Sequence, residues 1–370
     1  MNITYVYPEE PSVWFGSEWR CKVPYRAINR TGRHKSNLIG YRDFVQNSIK
    51  VRPVLDNSDI IVIHRNLWGP VLSAIQHWRA HDKTVIADFE EAYNLLESTD
   101  REYNFWTKGS VDHSGREVGN VTPSPITQFK WSLQLANAAT VPSKRLVDDW
   151  QAFTHVELLL SYIELEKYLD ILPEKHTEII LGWHGTSTHL RDFQTSGALE
   201  ALNEVLSARP GVRLFIYLDD IEAVKELALP ETQTIIKSWD SASSWPRPLA
   251  NFDIGLSPMV RPICQRSSWA PILEYMVMKI PWVASQGPAY HDLQSFGYLV
   301  RNTADDWKNR LLDMVDHLAD YKEEASGEPY LFGIGQGIDE NVNRLVEIYA
   351  RITEQTTGRV LNQLEAEQVL

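Results

Sequence analysis

The stretch DIIVIHRNLWGPVLSAIQHWRAHDKTVIAD, Asp59 to Asp88, holds one complete strand–helix–strand unit. Its two ends, DIIVIH (Asp59 to His64) and TVIAD (Thr84 to Asp88), are short, continuously apolar runs that close on a polar residue. Strands that are apolar without alternation are covered on both faces, which is the habit of a parallel sheet. The span between them, Trp68 to His81, carries a helical pattern. The same alternation extends outward on both sides. Asn2 to Tyr7, Ala138 to Pro142 and Val156 to Leu160 read as strands, and Pro125 to Leu135 as a helix. A charged stretch, YIELEKYLDILPEK (Tyr162 to Lys175), interrupts the pattern. It then restarts, with strands at Glu178 to Trp183, Val212 to Leu218, Phe252 to Leu256 and Pro281 to Ala284, and a helix over Gly197 to Leu206.

The fold class is therefore α/β, with two doubly wound units in series. The domains predicted are 1–165, 166–335, and a terminal segment 336–370. That segment is a helix centred on Asp339 to Thr353, placed back against the first domain, with a polar tail after Thr357 that should fray. Two Rossmann-like units facing each other enclose a cleft. Ligands of open α/β sheets bind beyond the carboxyl ends of the strands, so residues that follow strands are the candidates.

Composition narrows the class. A chain of 370 residues suits two domains rather than one core. No run approaches the roughly 20 apolar residues that span a bilayer. The opening MNITYVYPEE is a strand followed by a proline and acids, unlike a signal peptide. The two cysteines, Cys21 and Cys264, give neither a disulfide framework nor a metal-binding spacing, so a reducing, cytoplasmic location is the simplest expectation. A net charge of -13 argues against a protein that grips nucleic acid by its backbone. The segment from Arg20 to Lys50 is locally basic, through Arg20, Lys22, Arg26, Arg30, Arg33 and Lys35, and leaves room for an anionic partner.

Several strand ends carry reactive or anion-binding residue types. His64 and Arg65 close one strand; Asp88, with Glu90 and Glu91, closes the next. Acids there can orient an acceptor hydroxyl or take its proton, or simply cap a helix. Gly182 to Arg191 reads as a strand end, a Gly-x-x-Gly-Thr-Ser turn and a helix start. Gly185, Thr186 and Ser187 then offer N–H and hydroxyl groups to a phosphate, or serve as a plain N-cap. Pro271 marks the start of a later helix, preceded by Arg266, Ser267 and Ser268, a second phosphate-binding candidate. Asp219-Asp220 is only a pair at a strand end and not a metal-bridging DxD, so no metal site is implied.

The order FDIGLSP (Phe252 to Pro258), RSSWAPILEYMVMKIPWVAS (Arg266 to Ser285), QGPAYHDL and GYLVRNTADDW (Gly297 to Trp307) resembles the donor-binding half of family-4-type GT-B glycosyltransferases. ILGWHGTSTHLRDF (Ile180 to Phe193) resembles the opening of that half in a bacterial and phage subgroup. WFGSEWRCKVPYRAIN, IIVIHRNLWG, TVIADFEEAYNLL, ATVPSKRL and LLLSYIEL are similar to the corresponding steps of the first half, so the likeness runs over residues 1–335.

The resemblance implies that Glu274 accepts the ribose hydroxyls of a donor nucleotide, a bidentate use of a carboxylate. It implies that Gly16 and its loop approach the donor, that Gly287 to Tyr290 form a loop closing over the sugar, and that Arg20 and Arg26 lie on the acceptor side. Arg191 would pair with the departing diphosphate. The chain departs from the pattern at Arg266, where an acid usually stands, and at Pro271, where a lysine is common. Arg266 can supply the missing positive charge. The function implied is a hexosyltransferase-type enzyme, acting with retention of configuration. It would need no cofactor beyond its UDP- or GDP-linked sugar substrate and no metal. Its acceptor would be a glycan, a protein, a small molecule or a modified nucleic-acid base, with peripheral membrane association open. Two other readings fit the same sequence. One is a nucleotide-sugar-binding or scaffold subunit without turnover. The other is a GT-B epimerase, which needs no acceptor.

Overall fold

The computed structural model describes residues 1–8, 14–100, 102–110, 121–239 and 245–368. Glu9, Glu10 and the last two tail residues lie outside this set. The chain divides into two compact units, Met1–Tyr162 with Ile338–Leu370, and Ile163–Gly337.

The first unit holds β1 (Asn2–Tyr7), β2 (Lys35–Gly40), β3 (Ile60–His64), β4 (Thr84–Asp88), β5 (Ala138–Val141) and β6 (Val156–Leu158). They form one parallel sheet in the order β2-β1-β3-β4-β5-β6. The connection reverses direction between β1 and β3, so the switch point of this sheet lies beyond Tyr7 and His64. Ile60, Ile61, Val62 and Ile63 are fully buried, which is why β3 reads as an unbroken apolar run. The helices Val71–Arg79 and Pro125–Leu135 follow β3 and precede β5. The long helix Ile338–Gln368 belongs to this unit, and its Val342, Leu345 and Tyr349 enter the same apolar core as Ile3, Tyr5 and Ile60. It continues past Thr357, so the tail expected to fray is helical as far as Gln368.

The second unit holds β7 (Ile179–Gly185), β8 (Val212–Leu218), β9 (Thr234–Ser238), β10 (Ile254–Ser257), β11 (Trp282–Ser285) and β12 (Tyr298–Val300). Its parallel sheet runs β12-β11-β10-β7-β8-β9. This is the dinucleotide-fold order, with the switch point between β7 and β10, beyond Gly185 and Ser257. The helix Ala198–Ala208 buries Ala201, Leu202, Val205 and Leu206 against Leu181, Leu214 and Ile216 of the sheet.

The strands not read from the apolar pattern, β2, β9 and β12, sit at sheet edges. KSNLIG and TIIKS meet a neighbour on one side only, and the last three residues of β9 are exposed. An edge strand needs no continuous apolar run, so that signal is missing there.

Candidate functional site

In the first unit the site is written into the strand register. His64 of β3 stands opposite Asp88 of β4, and Asp88 opposite Thr140 of β5. In-register residues of parallel strands project to the same side, so three polar side chains line up across the carboxyl ends of three apolar strands. Asp88 is the hub. Its Oδ1 accepts from Arg20 Nε at 3.1 Å and from His64 Nδ1 at 3.0 Å. Its Oδ2 accepts from Arg20 Nη2 at 2.5 Å and from Thr140 Oγ1 at 2.6 Å. Burial alone would raise this carboxyl. The guanidinium of Arg20 and the His64 hydrogen bond instead hold it well below the usual carboxylate range, and Arg20 in turn is raised.

This geometry corrects two expectations. Arg20 lies neither on a solvated basic face nor out towards an acceptor; it is 4% exposed and also donates to the Leu159 carbonyl at 2.6 Å. Asp88 caps no helix and presents nothing to solvent, since both oxygens are taken by protein donors. Arg26 pairs with Glu18, and Arg30 with Asp339 at 2.7 Å, so much of the basic segment is neutralised within its own unit. That segment forms a π-helical turn, the helix Val23–Arg30 and then β2.

Glu90 is only partly buried beside this hub. Its side chain is 19% exposed, its Oε1 lies 3.3 Å from Arg65 Nε, and its Oε2 lies 3.5 Å from His64 Nε2. His64 Nε2 and Glu90 Oε2 are both buried atoms with no hydrogen-bond partner. Arg65 adopts a left-handed backbone (φ 63°) at the strand end and also pairs with Glu91. Desolvation, helped by Glu102 and Glu90 and opposed by Arg65, lifts Glu91 to about 7. Gly16 packs on this cluster, and a methyl group there would stand 2.4 Å from Glu90 Oε1 and 3.4 Å from His64 Nε2.

In the second unit β7 runs through Gly185, so Gly182 to Gly185 are strand rather than turn. The turn begins at Thr186, whose hydroxyl meets Thr188 at 2.5 Å; Ser187 N–H donates to Asp219 at 2.6 Å. That N–H group does receive an anion, an internal carboxylate. Neither Thr186 nor Ser187 caps a helix through its side chain. Arg191 opens the short helix Arg191–Thr195 and is half-buried. Its neighbour Asp192, which the sequence did not single out, organises the region. Fully buried, it accepts the Val260 and Arg261 N–H groups at 2.7 and 2.9 Å, Arg261 Nε at 3.0 Å and the Cys264 thiol at 3.1 Å.

Arg261 also donates to the Thr188 carbonyl. One ion pair thus ties the loop after β7 to the loop after β10, where Arg266, Ser267 and Ser268 lie half-buried ahead of the helix Ala270–Val277. Pro271 falls in the first turn of that helix. His189, Asp192 and Cys264 bring ligand atoms within 4.8 Å of one another. Arg261 Nη2 already stands 2.9 Å from Asp192 and 3.4 Å from Cys264, supplying the positive charge this set would ask of a metal.

Glu274 is completely buried. Its Oε1 accepts from the Tyr168 hydroxyl at 2.6 Å and from Trp245 Nε1 at 2.5 Å, while Oε2 lies 3.3 Å from His184 Nε2. Desolvation raises Glu274 to about 8 against the pull of those two donors. Desolvation lowers His184 to about 3, with the Pro271 backbone acting the other way. The residue expected to meet ribose is therefore surrounded by protein partners. Tyr168 and Trp245 are 106 and 29 residues from it in sequence, and no local signal marks them. Gly287 packs on Gln265, whose Oε1 would lie 2.4 Å from a methyl group there. Gln265 accepts from Ala289 N–H at 3.2 Å, and Tyr290 is anchored in the core by Ser257 at 2.6 Å. This loop is held down at both ends.

No protein-family model matches the chain, and no curated protein does. Solved structures do. A sucrose-phosphate synthase from Thermosynechococcus elongatus superposes with a TM-score of 0.65 at 10% identity, over 96% of this chain and 100% of that one. A glycosyltransferase from Rickettsia africae gives 0.64 at 13% identity, over 95% and 98%. TarM of S. aureus gives 0.54 at 14% identity, over 80% of this chain and 55% of TarM, so here the match spans about half of the longer protein. The fold of this chain is the one these proteins share, GT-B, two parallel Rossmann-like α/β units in a single polypeptide.

Proposed function

We propose that this protein is a glycosyltransferase that moves a sugar from a UDP- or GDP-linked donor to a hydroxyl-bearing acceptor, without a cofactor of its own. The observation that supports it is the placement of polar residues at both switch points. Gly16, His64 and Glu90 gather beyond β1 and β3. Thr186, Ser187, Arg266, Ser267 and Ser268 lie on the loops that follow β7 and β10. The second group suits a diphosphate chiefly through the hydroxyls of Ser267 and Ser268 and the guanidinium of Arg266, since the Ser187 N–H is taken by Asp219. The first suits the acceptor, which a glycan, protein, small molecule or modified base could each supply. A cytoplasmic location accompanies this reading, because nucleotide sugars are its substrates.

A thermal-shift screen against UDP, GDP, ADP, TDP and their sugars tests it. One nucleotide should raise the melting temperature by mass action, about 2.7 kcal/mol at a hundredfold excess over Kd. Arg266→Ala should weaken that shift. If no nucleotide moves the transition, the donor assignment falls. A second reading, binding without turnover, draws on the internal occupancy of Glu274 by Tyr168 and Trp245. A nucleotide shift with no sugar released or transferred would favour it.

A further inference from the structure

Two imidazoles stand one helical turn apart at the end of the first sheet where its strands begin. His77 lies in the last turn of the helix Val71–Arg79, and His81 follows just beyond its end, ahead of β4. Residues four apart lie on one side of a helix. Here the two ring centroids are 4.3 Å apart, with the ring planes inclined at 40°. His81 Nδ1 lies 2.7 Å from the His77 carbonyl oxygen. A carbonyl only accepts, so the Nδ1 proton of His81 is committed to that bond, and the lone pair of the neutral ring is on Nε2. His77 is partly buried. Desolvation, then the charges of His81 and Arg52, hold its ring below the usual histidine range, while Asp56 acts the other way. At neutral pH His77 therefore also carries a nitrogen lone pair. His81 is exposed, so the pair opens to solvent.

We propose that His77 and His81 together hold a divalent transition-metal ion, zinc, nickel or copper. Imidazole nitrogen is the ligand these ions favour, whereas magnesium and calcium take oxygen. Two histidines spaced H-x3-H on one side of a helix present their nitrogens to a single ion. The bond from His81 Nδ1 to a backbone carbonyl is the outer contact that sets the tautomer and aim of a metal-bound histidine. The carboxyl end of a helix carries partial negative charge, which favours a cation there. Arg52 and Asp56, from the helix Arg52–Asp56, act on His77 with opposite signs, so their charges offset. Water completes the coordination, which makes this a two-imidazole chelate rather than a closed four-ligand site. It joins the end of one helix to the turn that enters β4, at the opposite end of that strand from Asp88. The ion therefore acts on the stability of this turn and not on group transfer, and the proposal is independent of the glycosyltransferase reading.

The test titrates the untagged, chelator-treated full chain with nickel, zinc and copper chloride in a calorimeter, with magnesium chloride as the control. Nickel should bind at one ion per chain, copper more tightly than nickel or zinc, and magnesium not at all. His77→Gln and His81→Gln should each weaken nickel binding by about tenfold or more, since losing a ligand costs at least as much as losing an outer contact. Circular dichroism confirms that both variants are folded. Cys264→Ser, which alters the set formed by His189, Asp192 and Cys264, should leave nickel binding unchanged. Zinc should also move the ¹⁵N resonance of His81 Nε2 in the unmodified protein, and His77→Gln should diminish that shift. Nickel binding that persists undiminished in either histidine variant, or that is lost in Cys264→Ser instead, overturns the proposal. So does a protein that takes up no nickel at millimolar concentration, which would leave His81 as a helix cap alone.

Discussion

Nε2 of His184 and Oε2 of Glu274 lie 3.3 Å apart with both side chains sealed from solvent, at the end of the central strand of the second sheet. Glu274 is raised to about 8 and His184 lowered to about 3, both chiefly by desolvation, so near neutrality the pair is a neutral acid beside a neutral imidazole. Such a pair tolerates burial where an ion pair would need extra hydrogen bonds.

The first prediction follows from that neutrality. The folded chain keeps a proton on Glu274 that the unfolded chain releases above about pH 4.5. The stability this confers is complete below that value, declines as pH rises and is gone above about pH 8. Glu274→Gln, which resembles the protonated acid, should remove the decline. Urea midpoints of the two proteins should diverge between pH 5.5 and 8, with the unmodified protein losing on the order of a few kcal/mol relative to the variant. Parallel curves would show that Glu274 is ionised throughout.

Tyr168 and Trp245 share one oxygen of Glu274. Tyr168→Phe should cost about 1–3 kcal/mol in chemical denaturation, because it strips a buried donor from that group. If ribose hydroxyls take the place of these donors, the same variant should bind the nucleotide more tightly than the unmodified protein. Calorimetry compares the two directly.

The Arg20–Asp88 pair is buried on both sides, with side-chain exposures of 3% and 1%. Removing one partner strands a charge, so Asp88→Ala should destabilise by about 3–5 kcal/mol. The Arg20→Met, Asp88→Ala double variant should recover part of that loss, which a double-mutant cycle reads. Because the Asp88 carboxyl is depressed, the stability it lends is present at neutral pH and falls away as pH drops below its unfolded value near 3.8. Acid titration of the unmodified protein should show that loss, and the double variant should lack it.

Gly16→Ala places a methyl group 2.4 Å from the tip of the Glu90 side chain. A flexible tip moves cheaply, so the melting temperature should change little, while transfer activity should fall because Glu90 is displaced from His64. Equal activity with equal stability would mean that the gap between Gly16 and Glu90 plays no part in turnover.

Asp192→Asn should loosen the tie between the loops after β7 and β10, since Asn cannot hold Arg261 as an ion pair. The expected effect is a raised donor KM together with a loss of about 3–5 kcal/mol in stability. A stability loss with donor KM unchanged would confine Asp192 to a purely structural role.

By itself the sequence determined the α/β class and the central strands. A strand buried on both faces must be apolar at every position, and DIIVIH, TVIAD and VRLFIYL say so locally. It also marked the strand ends at His64 and Asp88, because polar residues stop such runs, but ended β7 at Trp183, two residues short of Gly185. It could not show the edge strands β2, β9 and β12 by their pattern, since one-sided pairing leaves no apolar signature. The tertiary structure alone decided what those polar residues do. Register set His64 beside Asp88 and Thr140, turned Arg20 inward onto Asp88, and left Glu90 partly buried against His64. Packing enclosed Glu274 with Tyr168, Trp245 and His184, and gave the organising role in the β7 and β10 loops to Asp192 rather than Arg191. Whether a charged side chain binds a ligand or another side chain depends on neighbours brought from distant parts of the chain. Periodicity reports burial; it does not report partners.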